Sequence, residues 1–344
     1  MSGAPTVGVS ILAYQDLETI GPCLESVVNL DHPGDLEIRV REQGSDDEQA
    51  RRITKIAEST RSPGRSITLE RGPNIGFASG HNSNIRESNG EFQLLVNSDA
   101  RLEPDYLSEA IEFFDDPQVG AVQGKLLNPG TPRVIDTTGF LPSRGRVFAS
   151  RGQGEPDQGQ FDEPTEIFGA DGAVPLYRRA ALDDVAIPRQ LNPPSFDRGG
   201  MEWLDETFFA YKCDLDLAWR LRLRGWKTML APKATAEHSR TLAIGSARNV
   251  RQRLADRRAS PKWRRSLSFC NHRLMLIKNE DLGRLAKDSL RFLPAEAATW
   301  GLVALEGLWG ALPRLAKLAP IAYRKRRFVQ ERRTPGVDPY AWFE

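Results

Sequence analysis

The chain has 344 residues, 40% of them hydrophobic, enough to bury one large α/β core with an appendage. Its 47 basic and 46 acidic side chains leave a net charge of +1, so no chain-wide attraction to a polyanion such as nucleic acid is implied. Three widely spaced cysteines, Cys23, Cys213 and Cys270, argue against a disulfide framework or structural zinc and suit a reducing cytoplasm.

In chain order, Val7–Ala13 reads as a buried strand and 20–29 as a helix. A strand over 37–41, a polar turn and a helix over 48–57 follow. A third strand over 66–70 leads through Gly72-Pro73-Asn74 into a helix over 78–87. The fourth strand covers 92–96, Pro104 opens a helix to Phe114, and 119–124 is the fifth strand. This alternation predicts a mostly parallel sheet with helices on both faces. Ligands of such sheets gather at the carboxyl ends of the strands, where the polar clusters 42–47 and 97–99 fall.

Residues 128–165 are rich in Gly, Pro, Arg and Asp and read as hairpins and loops. An apolar run resumes over 167–177, and 188–200 reads as a mobile loop. Residues 214–224 form a helix closed by Gly225, and 228–231 a return strand. From about 244 the chain turns basic and helical. Arg248 to Arg265 holds eight Lys and Arg against one acid, and 324–333 six against one. The segment 292–323 is rich in Leu, Ala and Trp but is interrupted by Glu296, Glu306 and Arg314. It falls short of the roughly 20 apolar residues of a membrane span and reads as amphipathic helices that lie on a membrane or pack against the domain or a partner chain. The N-terminus shows no export signal.

Three clusters carry chemistry. Asn97-Ser98-Asp99 ends a buried strand on an acid, suited to a Mg²⁺ or Mn²⁺ ion that takes further oxygens from a diphosphate, or to a simple turn cap. Asp214 and Asp216 open a helix behind Phe208, Phe209 and Tyr211. Desolvation there would raise a carboxyl towards a useful general base, while helix capping is the alternative. Spacing does not decide between the two acids. His238 is either a structural imidazole or a metal ligand. Glu42, Gln43, Ser45 and Asp46 follow a strand and suit either a base and ribose or an ordinary polar turn.

Four blocks in order resemble the family 2 glycosyltransferases with a GT-A fold, especially the rhamnosyltransferase-like branch. They are Val9-Ser10-Ile11-Leu12-Ala13-Tyr14, the Gly72 to Asn82 stretch around Asn74-Ile75-Gly76-Phe77, Leu94 to Asp99, and Asp205-Glu206 through Arg220. The resemblance implies a GT-A domain over 1–243 and a basic, helical region over 244–344. It makes Asp214 the catalytic base. Ala13, Tyr14, Glu42, Asn74, Asn82, Asn97 and Ser98 become donor-nucleotide contacts, Asp99 and His238 metal ligands, and Asp171, Trp203 and Asp216 acceptor-side residues.

The implied activity is inverting transfer of a sugar, L-rhamnose by branch, from a dTDP- or UDP-linked donor to a polysaccharide or lipid-linked glycan. A divalent cation assists, and no nucleic acid takes part. The implied place is the cytoplasm, as a peripheral protein on the inner membrane face, with homo-oligomerisation open. The rivals are a non-catalytic glycan-binding scaffold and a sugar nucleotidyltransferase. Two departures stand out: Asn97 replaces the first acid of the metal motif, and Cys213 replaces the acid before the base, removing a charge that would couple to Asp214.

Overall fold

The computed structural model describes residues 4–14, 18–44, 47–59, 63–196, 199–239 and 259–343. Ser45, Asp46, the 243/244 division and most of the basic stretch 248–265 lie outside the described residues. The first half runs β1 (Val7–Ala13), α1 (Ile20–Val28), β2 (Leu36–Gln43), α2 (Asp47–Ser59), β3 (Arg65–Gly72), α3 (Gly76–Glu87), β4 (Phe92–Asn97), β5 (Ala100–Leu102), α4 (Tyr106–Ile111) and β6 (Val119–Asn128). Next come β7 (Val134–Thr137), β8 (Phe140–Pro142), β9 (Phe148–Ser150), β10 (Thr165–Ile167), β11 (Pro175–Arg178), α5 (Arg179–Val185), β12 (Ile187–Pro188), β13 (Met201–Glu202), α6 (Cys213–Arg224) and β14 (Lys227–His238). Among the described residues four α-helices follow: α7 (Lys262–Asn279), α8 (Leu282–Lys287), α9 (Ser289–Glu306) and α10 (Ala311–Glu331).

Among the described residues the main sheet has ten strands, in the order β10-β14-β6-β11-β4-β1-β2-β3, with β5 on β14 and β7 on β6. β1 lies parallel between β2 and β4, with Ala13 opposite Glu42 and Leu12 opposite Asn97, so three candidate residues come level at one edge. β11 enters antiparallel between β4 and β6, which periodicity did not reveal. Successive side chains of a strand face opposite layers. Leu94 and Val96 join α1, α2 and α4 in one core, while Leu95 joins α3, α5 and α6 in the other. Cys270, Leu274 and Met275 of α7 and Leu318, Ile321 and Ala322 of α10 belong to that second core. The C-terminal helices therefore pack on the same layer as α6.

The return strand is longer than the expected 228–231. β14 shifts register between Ala231 and Thr235, then continues to His238. The bulge absorbs Pro232, which cannot donate to a ladder. The expected mobile loop 188–200 is anchored at its start. Arg189 is buried and donates to Glu206 at 3.1 Å, and buried Asn192 donates to Glu202 at 2.7 Å.

Candidate active site at the carboxyl edge of the sheet

β4 delivers Asn97, Ser98 and Asp99 to the edge, and the chain turns at once into β5. Because β5 pairs antiparallel with the end of β14, Ala100 lies opposite His238. That register brings His238 Nε2 to 3.3 Å from Asp99 Oδ1 and 3.3 Å from Asn97 Nδ2. The opposite ring nitrogen, Nδ1, donates to Asp136 Oδ2 at 2.8 Å from β7. Burial works against charge on this imidazole, but hydrogen bonds to Asp136 and Asp99 and their charges outweigh it, holding its pKa up to about 9. Without a metal the ring is thus a cation between two carboxylates. The donor set fits a divalent ion: Asp99 and the Nε2 edge face each other, and Asp136 fixes the ring from behind, as carboxylates do for metal-bound histidines. Among the described residues no three Asp, Glu, His or Cys side chains are grouped so as to hold a metal ion together.

Asp214 stands in the first turn of α6. Its Oδ2 accepts the Gly172 N–H at 3.0 Å and its Oδ1 the Leu215 N–H at 2.8 Å. A side chain at Gly172 would press on Asp214 and Phe77, with a Cβ 3.2 Å from Asp214 Oδ2 and 3.3 Å from Phe77. The pKa of Asp214 is raised, first by burial and then by the charge of Asp171, against which the two N–H groups work. Asp171 therefore supplies the coupled charge that Cys213 was expected to remove. Its own backbone N–H donates to Gln123 Oε1 at 2.7 Å, and its Oδ1 accepts the Ala173 N–H. The next carbonyl link closes the site: Ala173 O accepts the Asn97 N–H at 2.8 Å. Residues 171–173 thus tie the base candidate to the metal-motif strand.

The loop leading to Asp214 is strained. Phe209, Tyr211 and Lys212 all have φ between +65° and +68°, a region non-glycine residues seldom occupy. Asn271 of α7, fully buried, holds it: Nδ2 lies 2.9, 2.7 and 3.0 Å from the carbonyl oxygens of Phe208, Ala210 and Tyr211. Gly76, at φ +88°, is required beside the same loop, because a Cβ there would fall 2.6 Å from the Phe209 carbonyl oxygen.

On the donor side, buried Glu42 accepts from Arg71 at 3.2 Å beside Ala13, and Tyr14 is exposed. Exposed Asn74 accepts the Gly76 N–H at 2.9 Å, an Asx turn that opens α3.

Three expected site residues lie elsewhere. Asn82 is fully buried; its Oδ1 accepts from Trp203 N and Leu204 N and its Nδ2 donates to Leu204 O, so both ends of the amide are committed to folding. Trp203 donates to Asp183 at 2.8 Å and packs under Arg179, whose backbone N–H meets Glu91 at the start of β4, the end opposite Asn97. Asp216, two residues beyond Asp214, points about 200° around the helix. It accepts from Arg220, Lys278 and Asn279 at 3.0, 2.9 and 2.8 Å in the interior. There a fully buried ionic cluster links Glu202, Asp205 and Asp216 to Lys278 of α7 and Lys325 of α10.

Sequence reasoning missed Asp136, Gln123, Gly172 and Asn271. Asp136 had a faint signal, a lone acid in the apolar strand Val134–Thr137, and Asn271 another, an amide between Cys270 and Leu274 on a buried helical face.

A mostly parallel sheet covered on both faces, an acid ending β4 and a second acid on α6 define a GT-A glycosyltransferase fold. The chain belongs to the glycosyltransferase-like family 2, whose model matches residues 4–258. It is 32% identical over 185 residues to an N-acetylglucosaminyltransferase of Rhizobium meliloti (strain 1021), covering 52% of this chain and 40% of that protein. An N-acetylglucosaminyltransferase of Sinorhizobium fredii (strain NBRC 101917 / NGR234) is 31% identical over 188 residues, 53% of this chain and 42% of its own length. The matched region thus spans less than half the length of these relatives, and neither carries a rhamnosyltransferase name. The mannosyltransferase PcManGT from Pyrobaculum calidifontis, solved with GDP-Man and Mn²⁺, aligns with a TM-score of 0.53 at 20% identity, over 96% of this chain and 85% of that one. S. aureus TarS 1-349 gives 0.50 at 16%, over 95% and 90%. At these identities the likeness is one of fold.

Proposed function

We propose that the chain transfers a sugar from a nucleoside-diphosphate donor to a glycan hydroxyl with inversion. The observation that carries this reading is the bridge 171–173, which joins the carboxyl of Asp214, raised by burial and by Asp171, to the Asn97–Asp99 edge. Asp214 takes the proton of the acceptor hydroxyl as its oxygen forms a bond to the anomeric carbon. The bond from that carbon to the diphosphate oxygen breaks, and the nucleoside diphosphate leaves with the electron pair. Ala13 and Glu42, level at the edge, and Tyr14, the residue after Ala13, face the nucleoside, and Asp171 positions the acceptor side. Asp99 and His238 would hold a divalent cation, which when bound supplies positive charge for the leaving diphosphate. The relatives' names support N-acetylglucosamine over rhamnose as the transferred sugar, and we take UDP as its carrier.

A thermal-shift panel of UDP, dTDP and GDP, with and without Mn²⁺, tests this. A ligand at about 100 times its dissociation constant adds about 2.7 kcal/mol of stability. The expected result is a UDP shift that needs the metal and disappears in Asp99→Ala. A dTDP shift in its place restores the rhamnosyl branch, and no shift with any nucleotide overturns the donor assignment.

A further inference from the structure

The helix α9 presents an apolar face outward. Of its 18 residues only Val303 is fully buried. Leu290, Leu293, Ala297, Gly301, Ala304 and Leu305 recur at three- and four-residue spacing on its outer face, with Leu290 90%, Leu293 61% and Leu305 83% exposed. The acids point the other way. Glu296 pairs with Arg273 at 2.7 Å and Glu306 with Arg265 at 2.9 Å, both from α7. A helix bounded by water places its leucines inward; this one leaves three of its four leucines exposed. No helix among the described residues is long and apolar enough to cross a membrane.

The charge around the face says what it fits. The acids of residues 282–319 are Asp288, Glu296 and Glu306, and each is ion-paired to an arginine. Exposed Lys262, Lys287 and Arg291, at the two ends of the helix, form no ion pair among the described residues. The rim is therefore cationic, and Trp263 and Trp309, both more than half exposed, add the amphipathic rings favoured at lipid headgroups. A second copy of the chain would set one positive rim against another. A layer of anionic headgroups pairs with the rim while the leucines enter the acyl boundary.

We infer that α9 and the turn after it dock on an anionic lipid surface. The face adjoins the base-bearing loop. Lys262 Nζ reaches Gly307 at the end of α9, Trp263 packs 6.2 Å from the Tyr211 ring, and Tyr211 stands three residues before Asp214. Docking thus holds the catalytic edge beside the membrane, where a lipid-anchored glycan presents its hydroxyl. That statement about the acceptor rests on the transferase reading; the docking itself does not.

Co-sedimentation of the full chain with vesicles of pure phosphatidylcholine, and of phosphatidylcholine with equimolar phosphatidylglycerol, tests the docking at low and high salt. Sedimentation with the anionic vesicles alone, reversed by salt, is expected. The double variant Leu290→Glu/Leu305→Glu should weaken it at least about tenfold. Lys287→Gln and Arg291→Gln should each weaken it about fivefold. These side chains are exposed, and unchanged circular dichroism and melting show that the variants fold. Failure of the wild type to sediment with anionic vesicles, or undiminished binding by the double variant, overturns the proposal. So does a wild-type dimer, by light scattering, that the double variant renders monomeric, because the face is then a self-interface. Sedimentation reads no turnover, so its failure leaves the transferase reading intact, and a failed nucleotide panel leaves the docking intact.

Discussion

Asp214→Asn separates chemistry from folding. In the wild type the Asp214 carboxylate accepts two backbone N–H groups, from Gly172 and Leu215. The amide keeps one acceptor oxygen and turns an NH₂ towards the other N–H, at a cost of about 1 kcal/mol. Against this, burial and Asp171 both disfavour the ionised form, so the wild-type charge is itself unfavourable in the folded state at neutral pH. A carboxyl with a raised folded pKa loses stability as pH rises, and removing its charge returns that loss. The two terms oppose, and stability should change by no more than about 1 kcal/mol. The rate should not be spared. General-base help is worth about 10²–10⁴-fold, which is about 2.7–5.5 kcal/mol of transition-state stabilisation. Initial rates of nucleoside-diphosphate release, set beside urea unfolding, measure both. The acid limb of kcat/KM should lie above the ordinary carboxylate range, with activity lost as pH falls and Asp214 takes a proton. Asp171→Asn should move that limb to lower pH. A variant Asp214→Asn with near-normal turnover, or an acid limb unmoved by Asp171→Asn, would refute the reasoning.

Three more outcomes follow from the geometry. Asn271→Leu releases three carbonyls of the strained loop, so kcat should fall on the order of 10²-fold, as for a base displaced by about 1 Å, with nucleotide binding in the thermal-shift assay preserved. Lys278→Met breaks buried pairs to Asp205 and Asp216, a loss of about 3–5 kcal/mol in general. The lower end is expected in urea unfolding, because Lys325 still pairs with Asp205 and Arg220 with Asp216. Asp136→Asn should weaken Mn²⁺ binding about 10–100-fold, read by titrating Mn²⁺ against the UDP-dependent melting shift, with the full shift recovered at saturating Mn²⁺.

The ionic cluster changes the meaning of the C-terminal helices. Through Lys278, Lys325 and Asn271 they hold α6 and the loop before it, so the base candidate depends on residues outside the four sequence blocks. Asp205, which opens the last of those blocks, caps its own turn by accepting from Thr207 and anchors both lysines. Its acidity is thus put to folding rather than to substrate.

Period and punctuation were enough for much of the local structure in the first half of the chain. The apolar run of β1, the alternation of β2 and Gly225 at φ +88° after α6 are short-range consequences of side-chain spacing and backbone freedom. The acids Asp99 and Asp214 were legible for the same reason, each terminating or opening an element. What lay beyond reach were the pairings between distant strands. Asp136, Asp99 and His238 meet only because β7 pairs with β6 and β5 with the far side of a bulge in β14. Asp171 reaches Asp214 only because β11 inserts antiparallel beside β4. Asp214 and Asp216 look alike in a string of residues, yet helical rotation sends one to the crevice and the other to a buried lysine. Sequence by itself determined the elements and the chemistry at their ends, because those depend on neighbours a few residues away. The tertiary structure alone decided which ends meet, because register is fixed by contacts between residues as much as 141 positions apart.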